Sequence, residues 1–260
     1  MFRRLICAKP VRLVVVAIGL LLIGGAFAYF GHNHLTALHA NAAYFLGLPF
    51  PAEWDRAAAD HNVSAASMAD GDCVMIGDSL MSRMPPDLLP PDTFICGLPG
   101  DTTTGTTYRI RQYAFLNRAS VLFISVGIND LGKTSDDGFL DRYRQLLDAL
   151  PADKPIVCSC ILPVDRRVFT YPHRENERIR VLNVKLQKLV ESKPNRTFVW
   201  CWDEMLDDEH NLRRDFHWGD GLHVNRAAYE VWTAKIRPAL ALARDSTRDN
   251  AHATAWAMEH

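Results

Sequence analysis

The sequence predicts a three-layer α/β fold, in which a parallel β-sheet is covered by helices on both faces. Two observations predict it. Short apolar runs typical of buried strands recur along the chain, and the segments between them have helical periodicity. Strands that alternate with helices form parallel sheets, because each crossover between parallel strands needs a helix. The predicted strands cover residues 73–76, 94–96, 121–126, 156–161 and 197–202.

The chain begins with a basic segment that is followed by a charge-free apolar segment. Residues 1–12 contain four basic side chains, and no Lys, Arg, Asp or Glu follows them until Glu53. We therefore predict a cytoplasmic segment over 1–12 and a transmembrane signal anchor over 13–31, with the rest of the chain on the extracytoplasmic side. A cleaved signal peptide is the alternative, because Ala26-Phe27-Ala28 resembles a cleavage site. Either interpretation exports the remainder of the chain.

The domain organisation follows from composition. Residues 32–71 are predicted to form a juxtamembrane segment and linker that includes a short helix, residues 72–243 a single globular domain, and residues 244–260 a polar tail. The whole chain has 260 residues, of which 48% are hydrophobic and 23% charged. This composition is ordinary for one globular domain with an appendage.

Helical periodicity is clearest in two segments. A final helix is predicted from Val224 to Ala243. In the other segment, apolar residues recur at spacings of three and four and share one face; they are Ile179, Leu182, Leu186, Leu189 and Val190.

Charge and cysteine content exclude some classes of protein. The formal net charge is -1 and there is no long basic run, so a nucleic-acid partner is excluded. Five of the six cysteines fall in or beside predicted strands, which favours small buried thiols. A disulfide between Cys160 and Cys201 remains open, since an oxidising compartment would allow it.

Four polar or glycine-rich clusters lie next to predicted elements in positions that the fold brings together. Three of them follow strands: Gly77-Asp78-Ser79, the segment 97–102, and Gly127-Ile128-Asn129-Asp130. The fourth, residues 220–223, precedes the last helix. Because ligands of open α/β sheets bind at the carboxyl ends of the strands, we expect all four clusters at one edge of the sheet.

The clusters contain the groups that nucleophilic catalysis requires. A hydroxyl nucleophile needs a nearby base, an acid that orients the base, and donors aimed at the developing oxyanion. Ser79, His223 and Asp220 fit the first three roles. The Gly100 N–H and the Asn129 side-chain amide fit the fourth, because neither donor can lose its proton. For Ser79 alone, the competing interpretation is a turn serine that caps the next helix.

Other patterns near these clusters do not indicate a further catalytic or binding function. Residues 100–106 have the glycine spacing of a phosphate-binding loop, but a threonine stands where the lysine is required, so nucleotide binding is rejected. No metal site and no cofactor are predicted. His217 is interpreted as a pocket or surface residue, and Asp78 and Asp130 as acceptors of backbone hydrogen bonds. The segment 166–174 either contacts substrate or forms a solvated loop.

Taken together, the four blocks resemble those of the SGNH (GDSL) hydrolase family. They are Gly77-Asp78-Ser79-Leu80, Gly97 to Gly100, Gly127-x-Asn129-Asp130 and Asp220-x-x-His223, and they occur in family order between Asp72 and Ala243. The resemblance implies a flavodoxin-like five-stranded sheet, a Ser79-His223-Asp220 triad, and an oxyanion hole formed by the Ser79 N–H, the Gly100 N–H and the Asn129 side chain. Cys96 departs from the family pattern, since many members have Asn there.

The resemblance also implies an activity. We expect a serine esterase that hydrolyses an acyl ester, such as an acetyl ester, through a covalent acyl-enzyme, with an envelope lipid or acylated glycan as substrate. The alternatives are an O-acetyltransferase that acts on an envelope glycan with a membrane partner, and a non-catalytic envelope protein.

Overall fold

The computed structural model of the chain describes residues 52–259, and side chains as far as Asp245. The predicted basic segment, membrane span and the first part of the juxtamembrane segment therefore lie outside the described residues. Between residues 52 and 259, no helix is both long enough and apolar enough to cross a membrane.

Five parallel strands form one sheet in the order β2-β1-β3-β4-β5. This confirms the predicted parallel sheet with five strands. Every residue of β1, β3 and β4 is buried, as expected for strands covered on both faces. The strands are β1 (Cys73–Gly77), β2 (Thr93–Gly97), β3 (Val121–Ser125), β4 (Ile156–Ser159) and β5 (Arg196–Val199).

Helices cover the sheet and complete the three-layer α/β/α architecture. The apolar face predicted for the segment before β5 is buried at four of its five positions, while Leu189 is only partly buried. The helices are α1 (Ala52–Ser64), α2 (Ser79–Ser82), α3 (Thr103–Ile110), α4 (Asp136–Ala149), α5 (Asn176–Val190) and α6 (Arg226–Glu259).

Helix α1 belongs to the folded domain, although the sequence placed it in a linker. Trp54 and Ala58 are buried, and the Trp54 ring packs so closely on α3 that a Cβ at Gly105 would clash with it. The boundary predicted at residue 72 is therefore too late. The prediction was wrong because only two residues of α1 are buried, which leaves a weak apolar pattern.

The last helix also extends beyond the predicted domain end. The backbone of α6 remains helical to Glu259, so the stretch predicted as a polar tail continues this helix. Conversely, β4 and β5 end two or three residues earlier than predicted. Residues 160–162 and 201–202 remain buried after the ladder ends, and continued burial is what made the strands look longer in the sequence.

The cysteines of the domain are buried free thiols. Cys160 and Cys201 are neighbours across the ends of β4 and β5, as a disulfide between them would require. Their sulfur atoms, however, are 3.5 Å apart. That separation is a thiol contact, because a disulfide requires about 2.05 Å.

Candidate active site

Ser79 stands at the junction of β1 and α2. The strand can turn tightly there because Gly77 lies against the backbone of β3, where a Cβ would clash with the Ser125 carbonyl oxygen. Asp78 then caps α2, since its Oδ1 accepts the Leu80 N–H at 2.9 Å. Ser79 is consequently the first residue of α2, just after the carboxyl end of β1, and is only 7% exposed.

The loop before α6 brings the predicted base and acid to this serine. Ser79 Oγ lies 3.0 Å from His223 Nε2, although 144 residues separate the two in the chain. On the other side of the imidazole, His223 Nδ1 lies 2.6 Å from Asp220 Oδ2. The structure therefore brings Ser79, His223 and Asp220 into one hydrogen-bonded chain.

Asp220 is held as a carboxylate. Partial burial acts to raise its pKa, but the hydrogen bonds that it accepts outweigh burial and lower the pKa below its ordinary value. Its Oδ1 accepts the N–H groups of Leu222 at 3.0 Å and His223 at 2.8 Å. These bonds fix the carboxylate relative to the imidazole and leave Oδ2 for His223 Nδ1.

The predicted oxyanion donors come from two loops at the same edge. Gly100 has a φ of 78°, a left-handed conformation that suits glycine. Apart from its chain neighbours, no described residue has an atom within 4 Å of where its Cβ would be. Asn129 Nδ2 donates to the Asp101 carbonyl oxygen at 3.0 Å. Because the amide carries two N–H groups, one remains for a ligand.

Two buried acids flank these donors. Asp78 and Asp130 accept backbone N–H groups, as predicted, and the Asp130 carboxylate binds both the N–H and the hydroxyl of Thr103. Burial raises the pKa of Asp78 to about 7 and that of Asp130 to about 6, although the hydrogen bonds oppose this. Their role is to hold the turns that carry Ser79 and Asn129.

His217 has a position that the sequence did not predict. Its Nδ1 accepts the N–H groups of Gly219 at 3.0 Å and Gly221 at 3.1 Å, the two residues on either side of Asp220. Its Nε2 lies 3.3 Å from Asp165 Oδ2. His217 thus connects the loop that carries Asp220 to the loop after β4. These contacts could not be predicted, because hydrogen bonds between a side chain and backbone N–H groups leave no pattern in the sequence.

A buried ion pair supports the loop whose Asp101 carbonyl oxygen accepts the hydrogen bond from Asn129. Arg109 and Asp101 are fully buried, and two guanidinium nitrogens of Arg109 bind Asp101 Oδ2. Arg109 also donates to the Tyr113 hydroxyl, which lies 2.6 Å from His61 Nδ1. Burial, together with Arg109, lowers the pKa of His61 to about 4. This network could not be predicted from the sequence, because its members lie on α1, α3 and loops that are far apart in the chain.

The arrangement can carry out nucleophilic acyl transfer. His223 Nε2 is within reach of the Ser79 proton, and the Asp220 carboxylate can stabilise the imidazolium that results. Among residues 52–245, no group of three or more His, Cys, Asp or Glu side chains is arranged to hold a metal ion.

Comparisons with known proteins agree with this architecture. A Streptococcus pneumonia protein described as a candidate platelet activating factor is 22% identical, with a TM-score of 0.66 over 72% of this chain and 92% of its own. A GDSL-like lipase from Bacteroides thetaiotaomicron is 19% identical, with a TM-score of 0.60 over 73% and 98%. A lipase/acylhydrolase from Enterococcus faecalis is 19% identical, with a TM-score of 0.55 over 68% and 96%. At these identities the likeness shows the fold.

A search of curated proteins returns no significant match. The sequence pattern of the GDSL-like lipase/acylhydrolase family matches residues 51–231, which include α1 and all four blocks. Since this match covers more than half of the chain, the protein belongs to the GDSL-like lipase/acylhydrolase family and is a hydrolase that acts on ester bonds.

Proposed function

We propose that the protein is a serine esterase in which Ser79 is the nucleophile, His223 the general base and Asp220 the residue that orients the base. The observation that carries the proposal is the unbroken chain from Ser79 Oγ to His223 Nε2 at 3.0 Å and from His223 Nδ1 to Asp220 Oδ2 at 2.6 Å. Proton transfer to a base requires hydrogen-bond distance, and both contacts satisfy it.

In the first half of the reaction, Ser79 Oγ attacks the ester carbonyl carbon while its proton passes to His223 Nε2. The carbonyl oxygen becomes an oxyanion, which receives hydrogen bonds from the N–H groups of Ser79 and Gly100 and from Asn129 Nδ2. Collapse of this intermediate breaks the bond to the alcohol, which leaves with the proton held by His223.

In the second half, water attacks the acyl-enzyme and gives a proton to His223. The acyl group leaves as a carboxylic acid, and the proton returns to Ser79. One water is consumed per ester, and the residues named above supply every proton transfer in the scheme.

The test compares the wild-type protein with Ser79→Ala on a short-chain aryl ester. The variant should lose hydrolysis by at least about 10³-fold while its circular dichroism spectrum and thermal midpoint stay unchanged. His223→Ala should lose a similar amount. Wild-type activity in Ser79→Ala would show that another group is the nucleophile.

We further propose that residues 13–31 anchor the enzyme in a membrane, with the N-terminus in the cytoplasm and the esterase domain outside it. The support is the charge-free segment from Leu13 to Phe30 and the excess of basic residues before it. An envelope lipid or acylated glycan is then the substrate class within reach. A reporter that is active only outside the cytoplasm should be active when it is fused after His260; activity of a cytoplasm-only reporter there would reverse the proposed orientation.

A further inference from the structure

The loop after β4, residues 160–175, contacts two segments of the candidate active site. At its start, the Asp165 N–H donates to the Gly221 carbonyl oxygen at 2.8 Å, and a Cβ at Gly221 would lie 3.0 Å from Phe169 Cβ. Near its end, a Cβ at Gly132 would lie 3.2 Å from the His173 ring. The loop therefore contacts both the segment that carries His223 and the segment that follows Asn129.

Two of the three arginines on this loop are bound by other groups of the protein. Arg166 Nη1 donates to the carbonyl oxygens of Phe169 at 3.0 Å and Tyr171 at 2.7 Å. Arg167 is neutralised by three carboxylates, Asp165, Asp207 and Glu209.

Arg174 is different. Its guanidinium carbon lies 5.2 Å from the centroid of the Phe169 ring and 5.3 Å from that of Tyr171, and these two rings are stacked at 5.0 Å. No carboxylate or carbonyl oxygen of residues 52–245 forms a hydrogen bond or ion pair with it. The aromatic pair thus holds a cation in place and leaves its N–H donors free.

Arg174 lies close enough to two buried carboxyls of the candidate active site for their charges to act on it. Asp78 and Asp130, the acids beside Ser79 and Asn129, are the carboxyls on which it acts. Burial raises the pKa of Asp78 to about 7, so this carboxyl is partly protonated near neutral pH and compensates the guanidinium charge only in part. A positive charge with free donors thus remains near the acids that flank Ser79 and Asn129.

From this arrangement we propose that Arg174 binds an anionic group, a phosphate or a carboxylate, on the part of the ester substrate that does not react. The inference rests on the proposed esterase function and names the substrate class. Arg174 has the donors for the task, since a guanidinium binds either anion through two parallel hydrogen bonds. The preferred substrates are accordingly acyl esters of anionic alcohols.

The test uses three butyryl esters that share the acyl group: those of glycerol, glycerol 3-phosphate and glyceric acid. The wild-type full-length protein should show a higher kcat/KM for the two anionic esters. Arg174→Gln should lower kcat/KM for these by about 10- to 100-fold, chiefly through KM, and change hydrolysis of butyryl glycerol by less than about 2-fold. An effect on only one anionic ester would identify phosphate or carboxylate as the group recognised.

Arg180→Gln is the matched control, because it removes the same charge from an exposed position on α5. It should leave all three rates unchanged. An equal loss on all three esters in Arg174→Gln, or no preference of the wild type for anionic esters, would overturn the inference. Failure of the proposed function looks different: the wild type would hydrolyse none of the esters and would not react with a fluorophosphonate, and both proposals would fall.

Discussion

At the scale of single residues, His217 shows how the position of Asp220 is set. Gly219 and Gly221 both donate to His217 Nδ1, so this nitrogen carries no proton, while Nε2 faces Asp165. These two hydrogen bonds hold the residues on either side of Asp220 in place. We interpret His217 as a positioning residue that acts on the reaction through Asp220.

Two substitutions of His217 separate its two contacts. Asn can place an oxygen near the position of Nδ1 and so keep an acceptor for the two N–H groups, whereas Gln reaches the position of Nε2 and keeps only the contact with Asp165. We expect His217→Asn to retain kcat within a few-fold, and His217→Gln to lose about 10- to 100-fold in kcat with little change in KM.

Steady-state kinetics on an aryl ester, with thermal midpoints as the control for folding, measure this difference. If both variants lost kcat equally and in proportion to their loss of thermal stability, His217 would have only a structural role.

Asn129 provides a second prediction at this scale. In the proposed mechanism its second N–H binds the oxyanion, whose charge appears only in the transition state. Asn129→Ala should therefore lower kcat by about 10² to 10³ and leave KM nearly unchanged. Kinetics over a range of ester concentrations measure both constants. A large rise in KM with kcat intact would make Asn129 a substrate-binding residue instead.

The raised pKa of Asp78 predicts that the unfolding free energy of the protein depends on pH. Its pKa is raised to about 7 by burial, against an ordinary value of 3.8. Between these values the folded state keeps a proton that the unfolded state has released, so this residue's contribution to stability is present at low pH and is lost as the pH rises through 7.

Asp78→Asn removes this loss, because the amide stays neutral and its oxygen can still accept the Leu80 N–H. Relative to the wild type, the variant should gain on the order of 3 kcal/mol in unfolding free energy between pH 4 and pH 8. Denaturant titrations at several pH values measure the difference. A constant difference across the range would show that Asp78 is ionised in the folded state.

The residues brought together around Ser79 could be predicted for two reasons. Nucleophilic catalysis requires particular chemical groups, and each residue that supplies one lies next to a predicted strand or helix. Ser79, His223, Asp220, Gly100 and Asn129 all lie at the predicted edge of the sheet. Arg109 and His217 could not be predicted in the same way. Their partners are backbone groups, or side chains that become neighbours only when the chain is folded.

At the scale of elements, α1 provides the clearest test. Trp54 is 6% exposed and packs against α3, whereas Val63 on the same helix is 76% exposed. Trp54→Ala should therefore reduce the unfolding free energy by about 3–5 kcal/mol.

Val63→Ala is the control and should change the unfolding free energy by less than about 0.5 kcal/mol. Urea unfolding of the two variants measures both. Equal small effects would show that α1 is an independent linker, as its composition first indicated.

At the scale of the whole molecule, the order of the strands explains why distant blocks meet. The alternation of strands and helices predicted a parallel sheet, and parallel strands share one carboxyl edge. The order β2-β1-β3-β4-β5 places β1, with Ser79 after it, between the strands followed by Gly100 and Asn129. The apolar runs could not predict the strand order, because a run carries no information about which strands become its neighbours.

The central claim is that Ser79 is a nucleophile activated by His223 and Asp220. The most direct measurement is labelling of the protein with a fluorophosphonate, followed by peptide mapping of the adduct by mass spectrometry. We expect a single adduct on Ser79 that is lost in Ser79→Ala and forms much more slowly in His223→Ala. An adduct on another residue, or no adduct on the folded wild-type protein, would contradict it.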